Sequence, residues 1–264
     1  TGVYLTNASY LNGGKLTLKN STSGSAAAGI YYTKGSASSQ VEHKTELAVN
    51  DGNDILALYV DGGINLKNTK AINITKNQGN TAAFVTGNSE FTNAGNITLK
   101  GTGTDLQQAL GIYVQNGKVT NVSGSIIEVE DTNNATGSLS VGMAAVKSST
   151  GTKAEIVNAG DIKISGDAIG MYVDANSSGE NSGTITAKNS GTMKAIGAYV
   201  KSNTATFKNT GTIETENIAL ALQDTAAGKI TGLGTLKLKA DNAVGVYAKD
   251  SKIDFNIVAP TVDS

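Results

Sequence analysis

Residues 82–99 read AAFVTGNSEFTNAGNITL, and this stretch contains two phrases that recur along the chain. The first phrase, Ala82-Ala-Phe-Val85, has the order small, aliphatic, aromatic, aliphatic. The second phrase, Phe91-Thr-Asn-Ala-Gly-Asn-Ile-Thr-Leu99, alternates polar residues with apolar, Asn or Gly positions. Alternation with a period of two residues is typical of β-strands. The stretch therefore predicts short strands joined by turns.

Ten copies of the first phrase run through the sequence. Its third position recurs every 27 residues on average, at positions 4, 31, 59, 84, 113, 144, 172, 199, 221 and 247. The copies at 144 and 221 are weaker, because Ala takes the place of the aromatic residue. Copies of the second phrase follow, most clearly at Ile156–Ile164 and Phe207–Thr215. A fixed period of this length is typical of proteins built from stacked repeats.

The alternation also predicts which residues face the interior. In the first phrase, the aliphatic second and fourth positions should face in, and the small first and aromatic third positions should face out. In the second phrase, the apolar, Asn, Gly and Ile positions share one parity and should face in. One coil cannot bury its inner side alone, so equivalent strands of successive coils must pair. We therefore predict an all-β fold, a parallel β-helix of about ten coils that forms a single segment over residues 1–264.

The Asn of the second phrase has a structural explanation. An amide side chain both donates and accepts hydrogen bonds, so stacked asparagines can bond to one another, and Asn also tolerates left-handed corners. Beside Asn12 and Asn68, the residues expected to form this ladder are Asn93, Asn121, Asn158, Asn181 and Asn209. His43, the only histidine, stands at the Asn position of its coil. We predict that it substitutes for a ladder residue and is neither a ligand nor a base.

The composition narrows the possible functions. Hydrophobic residues make up 39% of the chain, which is too many for a disordered tail. The formal net charge of −1 argues against nucleic-acid binding, which needs a concentrated basic surface. No apolar run is long enough for a membrane helix. The absence of cysteine fits either a reducing compartment or export in an unfolded state.

The two phrases together resemble the passenger repeats of large autotransporter adhesins, which are type V secreted proteins, especially those of fusobacteria. The resemblance covers residues 2–257 and rests on Gly-Ile-Tyr-Val, as in Gly111–Val114, followed by Asn-x-Gly-x-Ile. It implies a right-handed β-helix displayed on the bacterial cell surface and favours export as the reason for the missing cysteines. It also implies an outer-membrane β-barrel of the same polypeptide outside these residues. We therefore expect a fragment of a longer passenger.

Groups that could support catalysis are sparse. Arg is absent, and one histidine at a ladder position cannot serve a Ser-His-Asp triad. Glu128 and Glu130 share a parity, but so does any outward pair on a strand, and a glycosidase needs two acids flanking a cleft. We predict no enzyme activity and expect no cofactor or metal. A polysaccharide-degrading enzyme is the remote alternative.

One candidate binding surface is the aromatic column, which consists of Tyr4, Tyr31, Tyr59, Phe84, Tyr113, Tyr172, Tyr199 and Tyr247. If the parity is right, these rings lie one coil apart on the outer surface. Tyrosines combine an apolar ring with a polar tip, which suits protein and sugar recognition. We select Tyr113, Tyr172 and Tyr199 as candidate binding residues. The alternative is that the rings only stiffen the sheet, as cross-strand aromatic pairs do.

The second candidate surface is the variable turn before each first phrase. The longest turns lie at 19–28, 101–109 and 131–140, and the last two belong to successive coils, so they should lie side by side. The polar edge expected there consists of Asp105, Gln107, Gln108, Asp131, Asn133 and Asn134. The alternative is an ordinary solvated loop.

The leading functional hypothesis is a surface adhesin segment that binds a protein or glycan on host or neighbouring bacterial cells. The main alternative is a structural stalk that holds a distal binding tip away from the outer membrane. Uniform coils favour the stalk, whereas a cluster of coils with long turns favours the adhesin.

Overall fold

A computed structural model describes residues 2–10, 14–20, 26–35, 40–75, 77–100, 106–107, 109–131, 139–149, 151, 153–192, 194–253 and 261–263. These residues form 28 β-strands, and every strand pair among them is parallel. Within these ranges there is no helix, and thus none that could cross a membrane. The strands stack coil on coil, so the predicted all-β parallel β-helix is confirmed.

The first sheet contains the copies of the first phrase. Its ten strands are β1 (Val3–Thr6), β3 (Ala27–Thr33), β6 (Ile55–Asp61), β10 (Thr81–Val85), β14 (Leu110–Val114), β17 (Ser140–Ala145), β20 (Ala168–Val173), β23 (Ile196–Lys201), β25 (Ile218–Gln223) and β27 (Val244–Lys249). Neighbours in this order pair with equivalent positions in register, for example Phe84 with Tyr113.

The second phrase supplies two further sheets. The second sheet contains β4 (Val41–His43), β7 (Asn65–Asn68), β11 (Ser89–Asn93), β15 (Gly117–Asn121), β18 (Ala154–Asn158) and β21 (Ser177–Asn181). The third contains β2 (Lys15–Asn20), β5 (Glu46–Gly52), β8 (Ile72–Ile74), β12 (Ile97–Lys100), β16 (Ile126–Asp131), β19 (Asp161–Gly166), β22 (Thr184–Lys188) and β28 (Thr261–Asp263). Two long strands, β24 (Thr206–Thr215) and β26 (Ile230–Leu238), pass through both sheets and join them. A separate pair is formed by β9 (Asn77–Gln78) and β13 (Leu106–Gln107).

The alternation of burial follows the predicted parity at most positions. Ile112 and Val114 are fully buried, whereas Tyr113 between them is half-buried on the outer side. In the third sheet, Ile97 and Leu99 are fully buried and the residue between them is not. The inward aliphatic residues of all three sheets form one continuous core along the stack. Burial of this apolar surface is the main stabilising contribution to the fold.

The first position of the first phrase is an exception, because its residue faces the interior and not solvent. From β3 to β27 the pairing between neighbouring strands skips this position, and two successive residues turn inward. A Cβ on Gly197 would lie 2.6 Å from the carbonyl oxygen of Ala219 and still closer to Cγ2 of Ile213. Ala57 and Ala82 occupy this position in other coils and are fully buried. The residue must therefore be small because the neighbouring backbone and the third sheet fill the space.

The predicted asparagine ladder is present and buried. From Asn68 onward, each Nδ2 group donates to Oδ1 of the asparagine one coil further on, at 2.7–2.9 Å. The members, hereafter the Asn ladder, are at most 1% exposed and are Asn68, Asn93, Asn121, Asn158, Asn181 and Asn209. Asn12 lies outside the described residues.

Each coil also ties its ladder residue to its own turn. Asn93 and Asn158 use their second amide hydrogen to bind the carbonyl oxygen two residues on, at 2.9 and 3.1 Å. One part of the predicted explanation is wrong, because no ladder residue has a positive φ. Left-handed Asn residues lie instead at the corner after the first sheet, for example Asn88 and Asn176. The Asn ladder is selected by amide pairing and not by backbone conformation.

Candidate functional site

The aromatic column lies on the outer side of the first sheet, as its parity predicts. The ring centroids of Tyr59 and Phe84 are 5.2 Å apart, and those of Phe84 and Tyr113 are 5.5 Å apart, with nearly parallel planes. Tyr172 and Tyr199 form a second run with centroids 5.6 Å apart and an edge-to-face arrangement. These distances are typical of favourable aromatic pairs. The column therefore contributes to sheet stability in addition to presenting rings at the surface.

The column is interrupted where the first phrase is weak. Ala144 pairs with Tyr113 on one side and Tyr172 on the other, and it is only 2% exposed. Ala221 stands in the same way between Tyr199 and Tyr247. The structure thus brings the predicted residues Tyr172 and Tyr199 into contact, whereas Tyr113 belongs to the other run.

The hydroxyl groups of Tyr172 and Tyr199 are anchored by polar side chains at or just before the corner that follows the first sheet. Tyr172 donates to Oδ2 of Asp174 at 2.8 Å, and Tyr199 donates to the side-chain oxygen of Gln223. Burial, and then the hydrogen bond to Asp174, raise the pKa of Tyr172 above its ordinary value. Burial, followed by the negative charge of Asp224, raises the pKa of Tyr199 in the same direction. These phenols therefore remain neutral hydroxyl groups at any physiological pH.

A second apolar row, not predicted from the sequence, runs beside the aromatic column. It comes from the residue before the small first position, and we call it the outer stripe: Leu56, Leu110, Val141, Ile169, Ile196, Ile218 and Val244. Val141 and Ile169 pack with Ala144 into a cluster separate from the core, and Tyr113, Tyr172 and Tyr199 lean against it. The repeated aliphatic residue before Gly or Ala was the available signal. The outer side of the first sheet is therefore largely apolar.

Little of the predicted polar edge falls on described residues. Asp105, Gln108, Asn133 and Asn134 lie outside them, as does the side chain of Gln107. Asp131 is described, and its assignment to a solvated edge is wrong. Its side chain is fully buried and accepts a hydrogen bond from Oγ of Ser140 at 2.6 Å. Asp131 follows Ile127 and Val129 at the same parity, so the strand continues to alternate and carries the carboxylate inside.

The acidic pair considered for glycoside hydrolysis is engaged in ion pairs. Lys100 lies 3.0 Å from the carboxylate of Glu128 and 3.7 Å from that of Glu130, on the exposed side of the third sheet. Mainly because of its hydrogen bond to Glu128, the pKa of Lys100 is raised. Among the described residues no group of three His, Asp or Glu is arranged to hold a metal ion. Such ion pairs on an open surface are typical of solvated β-structure.

His43 occupies the ladder position, as predicted. Its imidazole is fully buried, and Nδ1 lies 2.8 Å from the hydroxyl of Tyr32. Its neighbours in the stack are Tyr10 and Asn68. Burial lowers the pKa of His43 to about 4, so the ring is neutral at pH 7. A neutral ring enclosed in the core supports a packing role.

Comparison with known proteins gives one finding. The family model for the BigA third pectate lyase-like domain matches residues 3–195, which is nearly three quarters of the chain. Neither the curated proteins nor the solved structures contain a match. The pectate lyase-like match agrees with the parallel strand topology and confirms the predicted right-handed parallel β-helix. It also supports a surface passenger-type domain, while the fusobacterial origin stays a prediction.

Proposed function

We propose that this chain, which belongs to the family of the BigA third pectate lyase-like domain, is a segment of a surface-displayed bacterial adhesin. In this proposal it attaches to a protein or glycan on host or neighbouring bacterial cells without catalysing a reaction. The passenger is exported through an outer-membrane β-barrel of the same polypeptide and displayed outside the cell.

The observation that carries the proposal is the outer side of the first sheet. There the aromatic column and the outer stripe form an apolar surface that runs along the stack. Tyr4 and Tyr247 are 61% and 50% exposed, and Val244 is 39% exposed. Contiguous apolar surface rimmed by polar groups is typical of interaction sites. The other two sheets present Lys, Glu and Thr to solvent, for example Lys208 paired with Glu180.

A non-catalytic role is supported by the surroundings of the candidate acids and of the histidine. Glu128 and Glu130 both form ion pairs with Lys100, and His43 is enclosed in the core. Incubation with polygalacturonate should therefore give no new reducing ends. Turnover that persists in a repurified sample would contradict this part of the proposal.

The attachment test uses the whole 264-residue chain. Labelled protein should bind cultured epithelial cells or neighbouring bacteria in a saturable manner. A double variant, Tyr172→Ser with Tyr199→Ser, should bind at least about tenfold more weakly, because buried aromatic side chains dominate binding energies. The matched control, Glu128→Gln with Lys163→Gln on the third sheet, should bind like the unmodified chain. Unchanged binding by the folded double tyrosine variant would place attachment elsewhere.

The stalk remains a second candidate because of one observation. In the run Tyr59–Phe84–Tyr113 the rings stack on one another, so their faces are occupied within the chain. A stalk needs this stiffness and no ligand. If the folded chain binds to no cell type in the attachment test, the stalk becomes the better explanation.

A further inference from the structure

One part of the aromatic column borders an open groove. The groove has a volume of about 420 Å³ and is lined by Tyr4, Ala26, Ala28, Tyr31, Leu56 and Tyr59. We call it the Tyr31 groove. Its volume falls within the range of small-molecule sites, roughly 300–1,000 Å³. All of its lining residues lie in the described part of the chain.

The groove lies where Ala28 takes the position that is in line with the outer stripe. Ala28 pairs with Leu56 of the next coil, Thr81 follows at the same position, and Leu110 and Ile169 supply large aliphatic side chains further along. Where those side chains stand beside a ring, Ala28 leaves space beside Tyr31. The small side chain of Ala28 therefore contributes to the open volume of the groove.

Ring orientation differs at the same place. The planes of Tyr4 and Tyr31 are tilted by 40°, and those of Tyr31 and Tyr59 by 44°, with centroids 4.9 and 4.8 Å apart. Further along, the planes of Tyr59 and Phe84 differ by only 13°. Tilted rings cover each other's faces incompletely. Part of the aromatic surface is thus open to the groove.

The polar groups that line the groove are tyrosine hydroxyls, and the carboxylate of Asp61 lies next to the lining through its hydrogen bond with Tyr31. Tyr31 donates its hydroxyl hydrogen to Oδ2 of Asp61 at 2.9 Å, which leaves the phenolic oxygen as an acceptor. Burial, and then this hydrogen bond, raise the pKa of Tyr31 to about 12. Burial and the charge of Asp61 also raise the pKa of Tyr59. No lysine is among the lining residues.

We infer that the Tyr31 groove binds a neutral pyranose unit of a glycan. A pyranose ring has apolar C–H faces that pack on tyrosine rings, and hydroxyl groups that donate to the phenolic oxygens of the lining. An acidic sugar is disfavoured because its carboxylate would lie beside Asp61 without a cationic partner. The inference rests on the proposed adhesive function and assigns that function a ligand class.

The test is isothermal titration calorimetry of the whole chain with lactose, cellobiose and maltose as neutral probes. Trigalacturonate is the acidic probe. At least one neutral disaccharide should bind saturably, and trigalacturonate should bind at least tenfold more weakly than it. Absence of saturable binding by all three neutral probes would overturn the inference, as would tighter binding of the acidic one.

Two variants locate the site. Ala28→Leu introduces the residue that the next coil already carries, so it should fold, fill the groove and weaken sugar binding at least tenfold. Glu128→Gln lies on the third sheet, away from the groove, and should leave sugar binding unchanged. Far-ultraviolet circular dichroism confirms that both variants fold. Undiminished binding of the neutral sugar by a folded Ala28→Leu variant would overturn the inference.

Cell attachment measured in parallel separates the two proposals. If the unmodified chain attaches to cells but binds no neutral sugar, the groove is wrong and the adhesive function stands. If it binds sugar through the groove but attaches to no cell type, the groove stands and the adhesive function is wrong. Loss of both activities in Ala28→Leu supports both proposals.

Discussion

The Asn ladder and the aromatic column both place one residue of each coil directly above its equivalent in the next. The ladder lies inside, is at most 1% exposed, and continues without a gap from Asn68 to Asn209. The column lies outside, is half-buried from Tyr31 to Tyr199 but exposed at Tyr4 and Tyr247, and is interrupted at Ala144 and Ala221.

The difference follows from the free energy that is lost when one side chain is missing from each stack. An amide removed from the ladder leaves its neighbours in the core with unmade hydrogen bonds, and water cannot replace them. A ring removed from the column exposes a little apolar surface that water can reach. Stability therefore demands an unbroken inner stack, whereas the outer stack tolerates gaps.

Removal of one ladder amide should have the largest effect. Asn158→Ala removes the acceptor of the Nδ2 group of Asn121 and the side-chain donor to Oδ1 of Asn181, both in the core. The carbonyl oxygen of Gly160 also loses one of its two donors and keeps the backbone amide of Thr184. We expect a loss of about 3–5 kcal/mol in the free energy of unfolding, measured by urea denaturation. Asn73→Ala, on the outer side of the third sheet, is the control and should cost less than about 1 kcal/mol. Similar losses in the two variants would mean that a ladder asparagine contributes no more to stability than an asparagine on the outer side of a sheet.

Acid should weaken the ladder at His43. The unfolded-state pKa is the ordinary value of 6.5 and the folded-state pKa is about 4, so the unfolded chain binds more protons between these values. Stability contributed by neutral His43 is complete above pH 6.5 and is lost as the pH falls towards 4, by up to about 3 kcal/mol.

His43→Asn is the matched variant for this pH effect. It should be less stable than the unmodified chain at pH 7, because Tyr32 loses its partner. Its unfolding free energy should nevertheless fall less between pH 7 and pH 4.5, as followed by urea denaturation at both values. Parallel pH profiles for the two chains would show that His43 does not titrate as a buried group.

A methyl group at the first position of the first phrase should have a smaller effect that depends on the coil. Gly197→Ala forces the backbone of Ala219 and the side chain of Ile213 to move, and should cost about 1–3 kcal/mol. Gly245→Ala is the matched change, because the added Cβ would lie 3.6 Å from Leu236, which is ordinary contact. That variant should be neutral or slightly stabilising. Equal thermal midpoints would indicate that this position faces solvent after all.

Truncation of one ring of the column should have the smallest effect. Tyr113→Ala loses the contact with Phe84 and part of a half-buried side chain, for about 1–2 kcal/mol. Equilibrium unfolding beside the Asn158→Ala variant gives the comparison directly. If Tyr113→Ala lowered the free energy of unfolding more than Asn158→Ala, the outer stack would stabilise the fold more than the inner one. The proposed difference between the two stacks would then be wrong.

Much of the fold was predictable because one physical rule repeats in every coil. Period-two alternation identified Ile97 and Ile112 as core residues and placed Tyr113 outside. The rule failed at the first position, because alternation assumes an unbroken ladder. At Gly197 the pairing between neighbouring strands skips a residue. Only the atoms around that residue show that it faces the interior.

The candidate site was less predictable. The aromatic column could be predicted, but its division into two runs depends on the mutual tilt and packing of the rings. The outer stripe was visible in residues such as Leu110 and Ile169, yet it was missed because the first phrase was taken to begin at the small residue. Asp131 was assigned to a loop by turn length, although its parity with Val129 predicted burial.

The direction of the ladder bonds has a mechanical consequence. Hydrogen bonds between coils run along the axis of the stack, so tension along that axis passes through every coil boundary in series and the weakest boundary yields first. Between β24 and β26 the register shifts twice, around Asn209, whose amide binds the carbonyl oxygen of Leu233 and not another side-chain amide. We expect a stretched stack to separate first at this boundary, so that the more regular coils before it remain folded.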